Sequence, residues 1–162
     1  MDAFEVLGLD RAWRLSDSTI RNTQRQLSTR WHPDRCLDPA QRTQAIERMG
    51  AVNEAAAILL DPLARGQELL NLFRPDSHAT DPRPEQGFLA EMMEIREAID
   101  QHGGRTDPEI VQRLLQLSQS AQHDADYSFT ALLQGDSSAW MASAEALGRL
   151  RALRRANEDA KA

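Results

Sequence analysis

Leu27-Ser28-Thr29-Arg30-Trp31-His32-Pro33-Asp34-Arg35-Cys36-Leu37-Asp38-Pro39 is the stretch whose reading decides the fold. Pro33 has no backbone N–H and a fixed φ, so it cannot sit inside a continuing helix. It also drives His32 out of the α region. The chain must turn here, presenting an imidazole and a carboxylate at the tip of a helical hairpin. Upstream, Ser16-Asp17 is a helix start, and Ile20, Leu27 and Trp31 mark one face at i, i+7, i+11. Downstream, Asp38-Pro39 reads as N-cap and first helical residue. Ala45, Met49, Val52, Ala56 and Leu59 then form the apolar stripe of a helix that ends before Asp61-Pro62.

The tripeptide alone is weak, since a random chain of this length contains it about 1 time in 100. The frame makes it specific. A short apolar segment, Ala3-Phe4-Glu5-Val6-Leu7-Gly8-Leu9, precedes the hairpin. Short helix, longer helix, His-Pro-Asp turn, longer helix: residues 1–74 resemble a J-domain.

Composition bounds the alternatives. With 162 residues, 41% of them hydrophobic, the chain can build one domain or two small ones. A single cysteine, Cys36, excludes an internal disulfide and suggests a reducing compartment. No basic N-terminal segment signals secretion or mitochondrial import, and the longest apolar run, Ala55–Leu60, is far too short to cross a membrane. A cytoplasmic protein with no membrane contact is expected. Residues 1–74 carry ten acidic and ten basic side chains; residues 75–162 carry fifteen acidic and nine basic, net −6. That balance opposes phosphate binding, so nucleic acid is not an expected partner. The one dense basic cluster, Arg149, Arg151, Arg154 and Arg155, reads as complementing a helix C-terminal dipole.

Residues 75–84 contain three prolines and no apolar side chain larger than alanine, and read as a linker. Before it, Leu63, Leu70 and Phe73 lie on a short helix expected to fold back onto the first domain. After it, residues 85–162 hold three helical stretches. Phe88–His102 stops at Gly103-Gly104, Asp107-Pro108 starts the second, and Asp136-Ser137-Ser138 starts the third. Long helices with short connections predict an antiparallel three-helix bundle. No segment alternates at period two, so the fold class is all-α.

The wording is more specific than a J-domain. Phe4…Leu7-Gly8-Leu9, His32-Pro33-Asp34-Arg35, Asn53-Glu54-Ala55, Asp61-Pro62-Leu63-x-Arg65 and Leu69-Leu70-x-Leu72 are followed by Phe88-Leu89-x-Glu91-x-Met93-Glu94-x-Arg96-Glu97. These motifs, spread over essentially the whole chain, resemble the HscB-type iron–sulfur co-chaperones. The resemblance implies a regulator with two ends and no enzyme activity of its own. Its J-domain would dock on a DnaK-class chaperone of the HscA type and stimulate ATP hydrolysis, through His32, Pro33, Asp34 and Arg35 with Arg21, Arg25 and Arg30. Its acidic bundle would bind the scaffold IscU through Leu89, Ala90, Met93, Glu94, Glu97, Gln101 and Ala152. No cofactor is implied, and a monomer is expected.

Geometry bears on that second site. At about 100° per residue, Phe88, Met92, Ile95 and Ile99 share an arc of about 60° and form the core face. Leu89 and Met93 lie about 90–130° from its centre, beside Ala90, Glu94, Glu97 and Gln101. Spacing alone leaves open a docking face with a charged rim, a wide core stripe or contact with the J-domain; the resemblance favours docking. The chain also departs from its family. Gln24, Ala90 and Ala152 stand where larger apolar residues are usual, Gln101 replaces an acid, and Thr23 and Thr29 occupy positions often basic. Binding energy concentrates in large anchors, so the alanines predict weaker scaffold binding carried more by Leu89 and Met93.

Other chemistry falls away. His32 and Asp34 lack a nucleophile or oxyanion hole nearby, and His32 with Cys36 supplies two of the four ligands zinc needs. No metal site is expected. His78, His102 and His123 read as surface residues; Trp13, Trp31 and Trp140 read as core. Two alternatives stay open: a general protein-folding J-protein for a DnaK-class chaperone, and a helical scaffold in which His-Pro-Asp is coincidental.

Overall fold

Most of the helices begin where a side chain or proline removes the cost of unpaired N–H groups. The computed structural model describes residues 1–35, 38–74, 84–101 and 107–160. Among them there are helices and no strand: α1 Ala3–Leu7, α2 Asp17–Arg30, α3 Pro39–Leu60, α4 Pro62–Phe73, α5 Gln86–Gln101, α6 Pro108–Leu133 and α7 Ala139–Asp159, with one 3-10 turn at Pro33–Arg35. The all-α expectation holds. The chain divides into two compact units, Met1–Leu69 and Leu70–Ala162.

In the first unit, Asp2 closes a capping box on α1, accepting from the Phe4 and Glu5 N–H groups while Glu5 reaches back to the Asp2 N–H. Gly8 ends α1 in the left-handed region, φ 65°, where a β-carbon is disfavoured. Ser16 caps α2, and Asp38 with Pro39 starts α3. Phe4, Ile20, Leu59 and Leu69 are fully buried, with Val52, Ala55 and Ala56 completing the contact between elements. The small residues of α3 let α1 and α2 pack closely on it. Arg65 is also buried, and this is tolerable because its Nη1 donates to the Leu59 carbonyl at 2.7 Å and its guanidinium lies 5.7 Å from the Trp13 ring centre.

In the second unit, α6 and α7 form the main contact. Ala121, Ala125 and Ser128 on α6, with Ser143, Ala144 and Ala146 on α7, are buried and small enough for close approach. The Ser143 hydroxyl is satisfied within its own helix, donating to Ala139 O at 2.9 Å. Ile95 of α5 completes a cluster with Ile110, Leu114, Ala121, Leu153 and Ala156. Phe88, Met92 and Ile99 pack against it half-buried, so the core face expected for α5 is the one observed.

Three expectations require correction. The last turn of α4 belongs with the second unit: Trp140 Nε1 donates to Leu70 O at 3.1 Å, Arg74 lies 5.0 Å from the Trp140 ring centre, and Phe73 is exposed. A buried indole N–H needs an acceptor, and the end of a helix offers one. Trp31 is half-buried, whereas Trp13 and Trp140 are core as expected. The arginine cluster does not serve the end of α7, whose last turn holds no basic residue; Arg149 instead bonds Asp124 at 3.0 Å and Glu85 at 3.3 Å. The third helix of the bundle starts after Asp136-Ser137-Ser138, as expected, with no side-chain cap from Ser138. The start of α7 is held by Asp136, whose Oδ1 accepts from the Ser138 N–H at 3.0 Å and from its hydroxyl at 2.6 Å. The expected linker, the Gly103-Gly104 stop, Cys36, His78 and His102 lie outside the described residues.

Burial tends to raise the Asp2 carboxyl's pKa. Hydrogen bonds from the Arg11 guanidinium and from the Glu5 and Phe4 N–H groups outweigh burial and hold it below its ordinary value. A carboxyl depressed in the folded state adds stability that is complete above its unfolded pKa, about 3.9, and is lost as pH falls through the folded one. An Asp2→Asn variant should therefore melt below wild type at neutral pH. The gap should close as pH drops below about 4, which denaturation across pH 2–7 checks.

Candidate functional site

The hairpin tip is built by three local events. Trp31 ends α2 with its N–H on Leu27 O at 2.9 Å and φ −103°, ψ 26°. His32 then leaves the helix, as Pro33 requires. Pro33–Arg35 closes a single 3-10 turn, and the Asp34 N–H donates to His32 Nδ1 at 3.3 Å. The Asp34 carboxylate lies 3.7 Å from Nδ1 and is largely exposed, as is half of the imidazole. A stiff donor–acceptor pair of this kind can recognise a polar partner surface.

Arg21, Arg25 and Arg30 are all exposed, but they do not share a face. At about 100° per residue, Arg21 and Arg25 lie within about 40° of each other and Arg30 lies on the other flank of α2. Arg25 bonds Asn22 at 3.0 Å and borders a shallow depression with Gln26 and Thr29, whereas Arg30 sits over the Trp31 ring at 5.2 Å. Gln24 donates to Asn53 Oδ1 at 3.0 Å, a polar tie between α2 and α3. Arg48 was missed by sequence reasoning: it stacks 4.1 Å from the Trp31 ring centre. Its position, i+3 from Ala45 and i−4 from Val52 on the hairpin-facing side of α3, was the available signal. The Arg35 side chain lies outside the described residues.

The second site is a groove of about 380 Å³ between α5 and α7. Leu89, Met92, Met93 and Ile99 line it from α5, and Ala152 and Ala156 from α7. Leu89 is 40% and Met93 65% exposed, so neither belongs to a wide core stripe. Three of the seven anticipated residues, Leu89, Met93 and Ala152, therefore meet in one place. Ala90, Glu97 and Gln101 are exposed on the adjoining face of α5. Glu94 is turned to α6, where it bonds Arg113 at 3.1 Å beside the Arg113–Glu91 pair at 2.9 Å.

The charged rim is therefore two-sided, and only one side was foreseen. Along the α7 edge run Arg96, paired with Asp159 at 3.2 Å, and Arg155. Arg96 is i+3 from Met93 and i+7 from Leu89, a spacing that could have revealed it. Among the described residues, no group of three or more His, Cys, Asp or Glu side chains could hold a metal ion, and no helix is long and apolar enough to cross a membrane.

Comparison with known proteins agrees with both halves of this geometry. Residues 2–67 match the DnaJ domain family, and residues 84–161 match the family described as the HSCB C-terminal oligomerisation domain. A co-chaperone protein HscB homolog of Aeromonas salmonicida is 36% identical over 67% of this chain and 65% of its own length. One from Vibrio cholerae is 30% identical over 93% of this chain and 90% of its own. The solved structure of the chaperone HscB from Vibrio cholerae superposes with a TM-score of 0.73 at 28% identity, covering 98% of this chain and 95% of that one. The human co-chaperone protein HscB shares the fold, with a TM-score of 0.74 at 22% identity over 99% of this chain and 81% of that one. With a His-Pro-Asp turn on one unit and the matched helical domain in the other, the chain belongs to the HscB co-chaperone family.

Proposed function

We propose that this chain is a cytoplasmic, monomeric adaptor in iron–sulfur cluster biogenesis. Its J-domain, residues 1–74, docks on a DnaK-class chaperone of the HscA type and stimulates ATP hydrolysis. Its bundle, residues 85–162, joined through 75–84, binds the cluster scaffold IscU and delivers it to the chaperone. The ATPase chemistry belongs to the chaperone. This chain supplies contacts: His32, Pro33, Asp34 and Arg35 at the tip, with Arg21 and Arg25 on one flank of α2 and Arg30 on the other. Rim arginines act mainly through steering, so the encounter is fast and salt-sensitive.

The observation that carries the scaffold half is the exposure of Leu89 and Met93 beside an apolar groove. Large apolar side chains held in solvent at helical spacing, with charge on both edges, have the anatomy of an interface core and rim. Ala90, Gln101 and Ala152 contribute little area there, so Leu89 and Met93 act as the anchors.

Calorimetric titration of an IscU-type scaffold should give saturable binding to the wild-type chain. A Leu89→Ala/Met93→Ala double variant, correctly folded by circular dichroism, should lose about tenfold or more in affinity. Failure of the wild type to bind would overturn the scaffold reading and favour a general protein-folding J-protein. Separately, His32→Gln should abolish stimulation of the chaperone's steady-state ATPase while leaving scaffold affinity unchanged. Retained stimulation would mean that the tip is not the chaperone contact.

A further inference from the structure

We infer that Arg48 is a positioning residue for the His32-Pro33-Asp34 turn, acting through the indole of Trp31. The inference rests on the chaperone-docking reading above and extends it to a residue outside the contact set. The turn is internally tied, because the Asp34 N–H donates to His32 Nδ1. It therefore moves as a unit, and its orientation is set where it joins α2, at Trp31. Trp31 is the last residue whose backbone is held by the helix, through its N–H on Leu27 O. What holds its side chain decides where the turn points.

The usual anchor, a buried apolar contact, is incomplete at this end. Ile20 is fully buried at the far end of α2, but Leu27 and Trp31 are only half-buried and Met49 of α3 likewise. Two guanidinium groups compensate. Arg48 reaches across from α3 to 4.1 Å from the ring centre, and Arg30 lies at 5.2 Å from its own helix. Arg30 is Trp31's chain neighbour and travels with it. Among the described residues, Arg48 is the guanidinium that ties the indole to a different helix. The register supports this: Gln24 meets Asn53 farther down the hairpin, so an antiparallel pair brings Trp31 level with Ile46, within one helical turn of Arg48. Cation–π stacking favours a defined ring orientation and tolerates partial exposure better than an apolar contact would.

Arg48 is itself exposed, so its removal leaves the core of the first unit intact. Arg48→Met keeps length and loses charge; Arg48→Lys keeps charge and loses the planar stack. Amide exchange by NMR reads the tip directly, whatever the partner. In Arg48→Met, exchange of the Asp34 N–H should rise severalfold while the amides of Val52 and Leu59 stay protected, and Arg48→Lys should fall between Met and wild type. In the ATPase assay, the concentration of this protein giving half-maximal stimulation of a DnaK-class chaperone should rise about threefold or more in Arg48→Met, with the maximum unchanged. A rise in that concentration with Asp34 exchange unmoved would make Arg48 a direct electrostatic contact and overturn the positioning role. Unchanged exchange with unchanged stimulation would overturn it too. If the wild type itself gives no stimulation, the chaperone reading fails and the exchange data alone decide whether Arg48 orders the turn.

Discussion

Pro33 imposes the constraint on which the first half of the molecule depends. Without an N–H and with φ fixed, it ends α2 at Trp31 and leaves the next helix to start again at Pro39 under the Asp38 cap. Between those ends a single turn projects His32 and Asp34 toward solvent. The core elsewhere in this unit is ordinary in chemistry, with Phe4, Ile20, Leu59 and Leu69 buried. The tip is different: its ties are a backbone donor on an imidazole and a guanidinium over an indole, with an amide pair farther down the hairpin. Polar ties fix direction with little buried area, which suits a tip that must remain exposed to be recognised.

The second unit solves a different problem. α6 and α7 approach closely through alanine and serine and bury their faces thoroughly, whereas α5 commits only Ile95 completely. Ion pairs bracket α5 on both sides, Arg113 with Glu91 and Glu94 toward α6, Arg96 with Asp159 toward α7. Exposed pairs of this kind are worth little singly, about 0–1 kcal/mol, but they fix rotation about the helix axis. Rotation is what matters here. With Phe88, Met92, Ile95 and Ile99 turned to the core, it keeps Leu89 and Met93 at the mouth of the groove.

The strongest signals in the sequence were local. Asp38-Pro39, Asp61-Pro62 and Asp107-Pro108 start or separate helices where their caps require, and the 3.6-residue period assigns Ile95 to the core and Met93 to the surface. What escaped was non-local. That Trp140 would seek the Leu70 carbonyl, that Arg149 would bind Asp124 and Glu85, and that Arg48 would cover Trp31 each depend on which elements become neighbours. Helical periodicity gives the face of one helix and nothing of what faces it. The same limit hid part of the charged edge of the groove, since Arg155 and Asp159 reach it only through the packing of α7 on α5.

The central claim is that one chain joins two partners, so its two ends must act in cis. Trans-complementation tests this most directly: chaperone ATPase is measured with the scaffold present, comparing wild type with an equimolar mixture of His32→Gln and Leu89→Ala/Met93→Ala proteins. Each protein in the mixture keeps one working end. The account predicts that wild type gives the added stimulation expected when scaffold and J-domain arrive together, and that the mixture falls well short at the same concentration. Full stimulation by the mixture would mean that the two ends work independently, and the adaptor account would be wrong.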